Sequence, residues 1–317
     1  MVFGKFFGRI FLIMVFSVIG SFSAFALACG DTIATDAILT EDLLNCPADG
    51  ITVGADNVTL DCQGHKITGN GDGSGIVIVG VKRTSVENCF VENFSNGFYL
   101  EATKENNLTN NVMRYNDSGI SLSTRSNYNL VSDNLAENNI NGFELSGIGL
   151  NHNLVTRNTA INNNVGFFSN GRNNQDNNYT YNRSFSNQYG FIVGAWAYFS
   201  GPNEISSNVI ANNSKAGIKV KNAIRNLVYN NLVRNQINAT QENATTFWNI
   251  QKTPGINIVG GPFLGGNYWS DYRGLDLNDD GLGDTEVPYD SNGQIPHDGD
   301  MLPLVSRIPM IVPPRIP

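Results

Sequence analysis

The sequence predicts an all-β fold: a right-handed parallel β-helix solenoid of about eight coils, with an N-terminal cap and a C-terminal acidic-loop segment. Three observations predict it. A glycine followed by an aliphatic or aromatic residue recurs at Gly75-Ile76, Gly97-Phe98, Gly119-Ile120, Gly142-Phe143, Gly166-Phe167, Gly190-Phe191 and Gly217-Ile218, at intervals of 22 to 27 residues. An asparagine column keeps step with it: Asn88, Asn111, Asn134, Asn158, Asn182, Asn208 and Asn231. Two columns that drift together describe one unit stacked on itself. The third observation is alternation after each glycine. Ile78, Leu100, Leu122, Leu145, Ser169, Val193 and Val220 fall two places beyond the first apolar residue, and Val77, Tyr99, Ser121, Glu144, Phe168, Ile192 and Lys219 lie between. Period two marks a strand with one buried face.

Residues 1–28 read as an export signal. Lys5 and Arg9 precede the apolar run Ile10 to Ile19, and Ala24-Phe25-Ala26 or Ala26-Leu27-Ala28 offers small residues for cleavage. No other segment is long and apolar enough to span a bilayer, so no transmembrane anchor is expected once the signal is removed. Residues 29–56 are expected to cap the open end of the solenoid, which would otherwise expose its core. An exported chain meets an oxidising compartment, and its four cysteines permit three pairings. Cys62 and Cys89 are one coil apart, and stacking in register would bring them within disulfide reach. Cys29 and Cys46 would then bridge the cap. The other reading leaves the interior cysteines reduced and Cys29 lipidated.

Residues 57–253 form the β-helix. A second apolar column, Leu108, Leu130, Leu154, Tyr179 and Leu227, accompanies further asparagines at 107, 129, 153, 178 and 226. Coils stacked about 4.8 Å apart would let each amide donate to one neighbour and accept from the other. Two other stacked folds do not fit: there is no hexapeptide register for a left-handed helix, and no Leu-x-x-Leu-x-Leu run for a leucine-rich repeat. Residues 254–304 turn to Gly, Asp, Tyr and Trp, and 305–317 read as an extended tail.

Only 15% of residues are charged, and the net charge is −8. That balance excludes nucleic acid as a partner, because phosphate binding needs basic patches. In the acidic loop, Asp276, Asn278, Asp280, Leu282 and Asp284 hold relative positions 1, 3, 5, 7 and 9 with Gly281 at 6, which matches the first part of a calcium loop. Position 12 is Val287 where a glutamate is expected, and no helices flank the loop, so the ion would be structural. The widened coil between Gly190 and Gly217 carries Trp196, Tyr198 and Phe199, which with outward Phe168 could stack on sugar faces. Catalytic constellations are thin. Glu101 and Glu144 share a face two coils apart, about 10 Å, at the outer limit for an inverting pair. A lyase-type arginine base would draw on Arg157 or Arg183. Copper is disfavoured, since its soft ligands are few and scattered at Met113, Met301 and His297.

The columns Asn-x-Leu, Asn and Gly-Ile/Phe resemble the repeats of the NosD-like and carbohydrate-binding/sugar-hydrolase (CASH) families, over about residues 29–304. The N-terminal part is similar in Cys29-Gly30-Asp31-Thr32, Leu43-Leu44-Asn45-Cys46-Pro47 and Asn57-Val58-Thr59-Leu60-Asp61 with Gly64-His65. The C-terminal part is similar in Gly265-Gly266-Asn267-Tyr268-Trp269-Ser270-Asp271-Tyr272, Pro288-Tyr289-Asp290 and Asp300-Met301-Leu302-Pro303-Leu304. The resemblance implies a solenoid that is secreted, held at the cell surface or periplasmic. Some members are associated with copper delivery to nitrous-oxide reductase, others with polysaccharide binding, cleavage or epimerisation. The reading taken from the sequence is a non-catalytic scaffold that contacts a polysaccharide or a cell-surface protein. The alternatives are an extracellular polysaccharide lyase or epimerase, and a NosD-type copper-delivery protein.

Overall fold

A computed structural model describes residues 26–194, 200–295 and 299–306. The chain winds into three parallel sheets of ten strands each, in which each strand pairs with the strand three places later, except that Leu232–Arg234 pairs with Tyr268–Trp269 across a small antiparallel pair, Thr253–Pro254 with Phe263–Leu264. Each turn therefore lays one strand on each sheet. The result is a right-handed parallel β-helix of about nine turns. Among the described residues no helix is long and apolar enough to cross a membrane.

The first sheet follows the glycine column. Ile76, Phe98, Ile120, Phe143, Phe167, Phe191 and Ile218 lie in register, one above the next. Within that file the rings of Phe143, Phe167 and Phe191 stack at centroid distances of 5.0 and 4.6 Å. The glycines sit where successive turns come closest. A Cβ at Gly97 would lie 2.4 Å from the carbonyl oxygen of Gly119, and one at Gly142 would lie 2.6 Å from that of Gly166. No side chain fits at that approach.

Each corner of the triangular coil is a two-residue device. The first residue takes positive φ, as at Tyr128, Arg157 and Asn138 (57°, 56° and 58°). The second is a buried asparagine. Three ladders result: Asn106 through Asn129, Asn153, Asn177 and Asn203 to Asn226; Asn111 through Asn134, Asn158, Asn182, Asn208 and Asn231 to Asn267; and Asn116 through Asn139, Asn163, Asn187 and Asn213 to Asn235. Asn158 shows the pattern. Its Oδ1 accepts from the backbone N and the Nδ2 of Asn134, both at 3.0 Å. Its Nδ2 donates to Val131 O and to Asn182 Oδ1, at 2.8 and 3.2 Å. Every polar atom of a fully buried amide thus has a partner, which is what makes its burial tolerable.

Several expected positions shift by one residue. Asn88 is the positive-φ residue of its corner and donates to Asp61 Oδ1; the ladder position is Cys89, whose N donates to Asn111 Oδ1. The ladder asparagines at the first corner include Asn106 and Asn177, while Asn107 and Asn178 occupy outward strand positions. Leu130, Leu154 and Leu227 face outward, and Val131, Val155 and Val228 fill the core beside Leu108 and Tyr179. Adjacent apolar residues in a three-residue strand leave the inward one undetermined until its neighbours are in place.

The cysteines pair as Cys29–Cys46 and Cys62–Cys89, with Cα separations of 5.3 and 4.7 Å. The second bridge joins successive turns at the head of the middle ladder. The segment 29–56, expected as a cap, carries strands Asp31–Ile33, Ala37–Ile38, Leu43–Cys46 and Ile51–Val53, which already belong to the three sheets. This accounts for more turns than the eight expected. At the other end, Tyr268–Trp269 from the segment 254–304 forms the last strand of the third sheet.

That segment also ends the ladders. The backbone N of Asn267 donates to Asp300 Oδ2 at 2.7 Å, as does Trp269 Nε1 at 2.8 Å, while Leu302 N donates to Oδ1 at 3.0 Å. Asn238, which accepts from Asn235 N, donates to Asp271 Oδ1. Burial pushes the Asp300 carboxyl up to about 7, against the pull of those donors.

Three measurements follow. Replacing Asn158 by Leu orphans the backbone N–H of Asn134 and one of the two bonds donated by its Nδ2, so urea unfolding should show a loss of about 2 kcal/mol or more. Tyr115, 59% exposed at φ 55°, should accept asparagine with a change within about 0.5 kcal/mol, since asparagine tolerates that backbone. For Asp300, a folded-state value above the unfolded one means that the folded chain holds its proton to higher pH. Stability contributed by that proton is full below about pH 4 and is lost as pH rises to about 7. The difference between unfolding curves of the wild type and Asp300→Asn should show this slope; parallel curves across the window would refute it.

Candidate functional site

The first sheet offers the widest outer face. Its strands Asn141–Ile148 and Val165–Arg172 run eight residues, while most strands of the other two sheets run three. Down its middle, Val77, Tyr99, Ser121, Glu144, Phe168, Ile192 and Lys219 form one outward row in continuous register. Most of these side chains are half-buried against their neighbours and present one edge to solvent.

Polar groups in this row are held in place. Glu144 accepts from Ser118 Oγ at 2.5 Å and from Asn141 Nδ2 at 3.0 Å. Tyr99 donates its hydroxyl to Glu101 Oε2 at 2.8 Å. Burial, reinforced by that carboxylate, pushes the Tyr99 phenol up, so it stays a neutral donor at physiological pH. Beyond Ile192, Tyr189 lies under two cations: Lys215 Nζ is 5.4 Å and Lys219 Nζ 5.3 Å from the ring centre. The face can therefore offer flat apolar area, fixed acceptors and cationic donors along a single line.

Of the aromatic group read from the sequence, Phe168 lies in this row beside Glu144. Trp196, Tyr198 and Phe199 lie outside the described residues. Glu101 and Glu144 share the face: Tyr99, Ser121 and Glu144 occupy successive rungs. Arg157 is on another corner, clasped by both oxygens of Asp133 at 2.8 Å, and Arg183 lies over Phe185 on the third sheet. Sequence reasoning put Lys219 in the outward column but missed Tyr189 and Lys215, which it meets. Tyr189 pairs with Ala216 in the column just before the glycines, a column that carries no repeating residue type.

The acidic loop closes on its own backbone. Asp276 accepts from the amides of Asp280 and Gly281, and Asp284 accepts from Leu277 N and Asn278 Nδ2. Asp280 takes Lys252 Nζ at 2.5 Å and the amide of Leu282 at 2.9 Å. Burial raises the Asp280 carboxyl, but those two donors hold it below its ordinary value. Leu282 is buried and bridges to Leu304. Among the described residues, no three His, Cys, Asp or Glu side chains converge as metal ligands.

No curated protein matches the chain at a significant level. Among solved structures, that of the periplasmic alginate epimerase AlgG is similar at 15% identity with TM-score 0.42, over 78% of this chain and 68% of that one. A variant of the same epimerase is matched over 65% of its length. The catalytic domain of a GH87 alpha-1,3-glucanase is similar at 14% identity with TM-score 0.40, over 68% of this chain and 53% of that one. These likenesses are ones of fold. A sequence profile described as periplasmic copper-binding protein (NosD) matches residues 30–194 and 192–274. That family is periplasmic, and the two disulfides fit an exported protein. With the match extending over most of its length, this chain belongs to the NosD family.

Proposed function

We propose that this protein is an exported, non-catalytic scaffold that binds an extended glycan along the outward face of its first sheet. The observation that carries the reading is the row Tyr99, Ser121, Glu144, Phe168, Ile192 and Lys219. Its rungs repeat at the strand spacing of about 4.8 Å, a rigid periodic surface suited to a linear polymer. Aromatic edges offer apolar area to the flat face of a sugar, and the fixed carboxylate of Glu144 accepts from hydroxyls.

Copper delivery is the other reading, from the family's description. The described donors do not fit a soft-ligand centre. All four cysteines are in disulfides, and Met113 is fully buried in the solenoid core. His65 lies 3.0 Å from Asp42 in the second turn, and His152 stacks on Tyr128 at a far corner. His297 lies outside the described residues.

Affinity electrophoresis against a panel of linear polysaccharides tests the glycan reading. Phe168→Ala should weaken binding about fivefold or more, the loss expected for an aromatic contact worth about 1 kcal/mol. Binding by no polymer, or an unchanged affinity in the variant, would reject the site; release of an unsaturated uronate would reassign the protein as a lyase. Equilibrium dialysis with copper should find no stoichiometric binding, and one tightly held equivalent would restore the copper reading.

A further inference from the structure

We propose that the glycan is a carboxylated one, and that Lys215 and Lys219 receive its carboxylates at Tyr189; this deepens the glycan reading and rests on it. The described residues contain seven lysines, in a chain of net charge −8. Five have a carboxylate within ion-pair distance: Lys66 with Glu92, Lys82 with Asp56, Lys104 with Glu105, Lys221 with Glu242 and Lys252 with Asp280. Lys215 and Lys219 have none, and these two converge on one ring. Glu242 feels Lys219 only through space and is already held by Lys221 at 2.7 Å.

The ring explains how two like charges are tolerated side by side. Each ammonium is drawn to the π face of Tyr189, which offsets part of their mutual repulsion. An anion set between them would remove the remainder and complete two charge-assisted hydrogen bonds. The position relative to the apolar rungs supplies the polymer context. Lys219 follows Ile192 and Phe168 in the same outward row, so a carboxylate at the lysines lies about 10 Å along the axis from the aromatic rung. A sugar ring against Phe168 and Ile192 and an acid group one or two rungs further on describes a uronan laid along the solenoid. Lys215 is exposed and Lys219 half-buried, so both reach solvent with their ammonium groups uncommitted.

A panel of uronans, each paired with its own methyl ester, tests this on the full chain. The backbone is shared within a pair and only the charge differs. The wild type should bind the acid form at least about tenfold more tightly than the ester, and that preference should shrink as salt is raised. The double variant Lys215→Gln/Lys219→Gln should lose the preference while still binding the ester, with an unchanged melting temperature as the check on folding. Phe168→Ala should weaken acid and ester alike. Equal binding of acid and ester by the wild type, or an undiminished preference in the double variant, would overturn the carboxylate assignment and leave glycan binding standing. Failure to bind either member of every pair would remove both.

Discussion

The structure depends on three files of buried asparagine amides, one at each corner of the coil. A corner must bend the chain from one sheet to the next within two residues, and it does so with a non-glycine residue at positive φ, a conformation that costs on the order of 1 kcal/mol. The following asparagine offsets this cost. Its amide and its backbone N–H bind the turn ahead, while its oxygen is bound by the turn behind. The same hydrogen bonds also satisfy the backbone carbonyls that the corner would leave bare, such as Val131 O. Sheets, core and outer rows inherit their register from these files.

Each file has a direction, because every rung donates toward the C-terminal end. The last rung is left with donors and no following amide. At the middle corner Asp300 supplies the missing acceptor, and at the third corner Asp271 serves Asn238. At the first corner Thr246 takes the rung after Asn226, and its hydroxyl has no hydrogen-bond partner. The glycine at 266 belongs to the same device: a Cβ there would lie 1.8 Å from Asp300 Oδ1, so the carboxylate reaches the ladder only across a bare backbone. The head of the middle ladder is closed differently, by the Cys62–Cys89 bridge.

Most of the fold was legible in the chain. The glycine column and the rows after it were in register residue by residue, because a glycine demanded by close approach and a period-two strand are both strong signals. The corners were less so. Pairs such as Asn110-Asn111, Asn138-Asn139 and Asn230-Asn231 put the same residue type in both corner positions, so composition alone cannot say which is the positive-φ residue and which the ladder amide. Residues 31–53 lack asparagine ladders, and their strands declared themselves only by pairing. The candidate site was legible in part: Glu144, Phe168 and Lys219 belong to a visible column, but Tyr189 and Lys215 lie outside it, with no shared motif to announce that they meet Lys219.

The directional files carry a consequence for how such a protein changes size. Every interior storey presents an acceptor on its lower side and a donor on its upper side, so any storey fits between any two others. A gene duplication of one whole circuit lengthens the rod without disturbing either end of the ladders, while a fractional insertion must bulge outward. Only the carboxylate-bearing roof and the disulfide-bound floor are irreplaceable, and the outer surface can be extended one rung at a time to suit a longer or shorter partner.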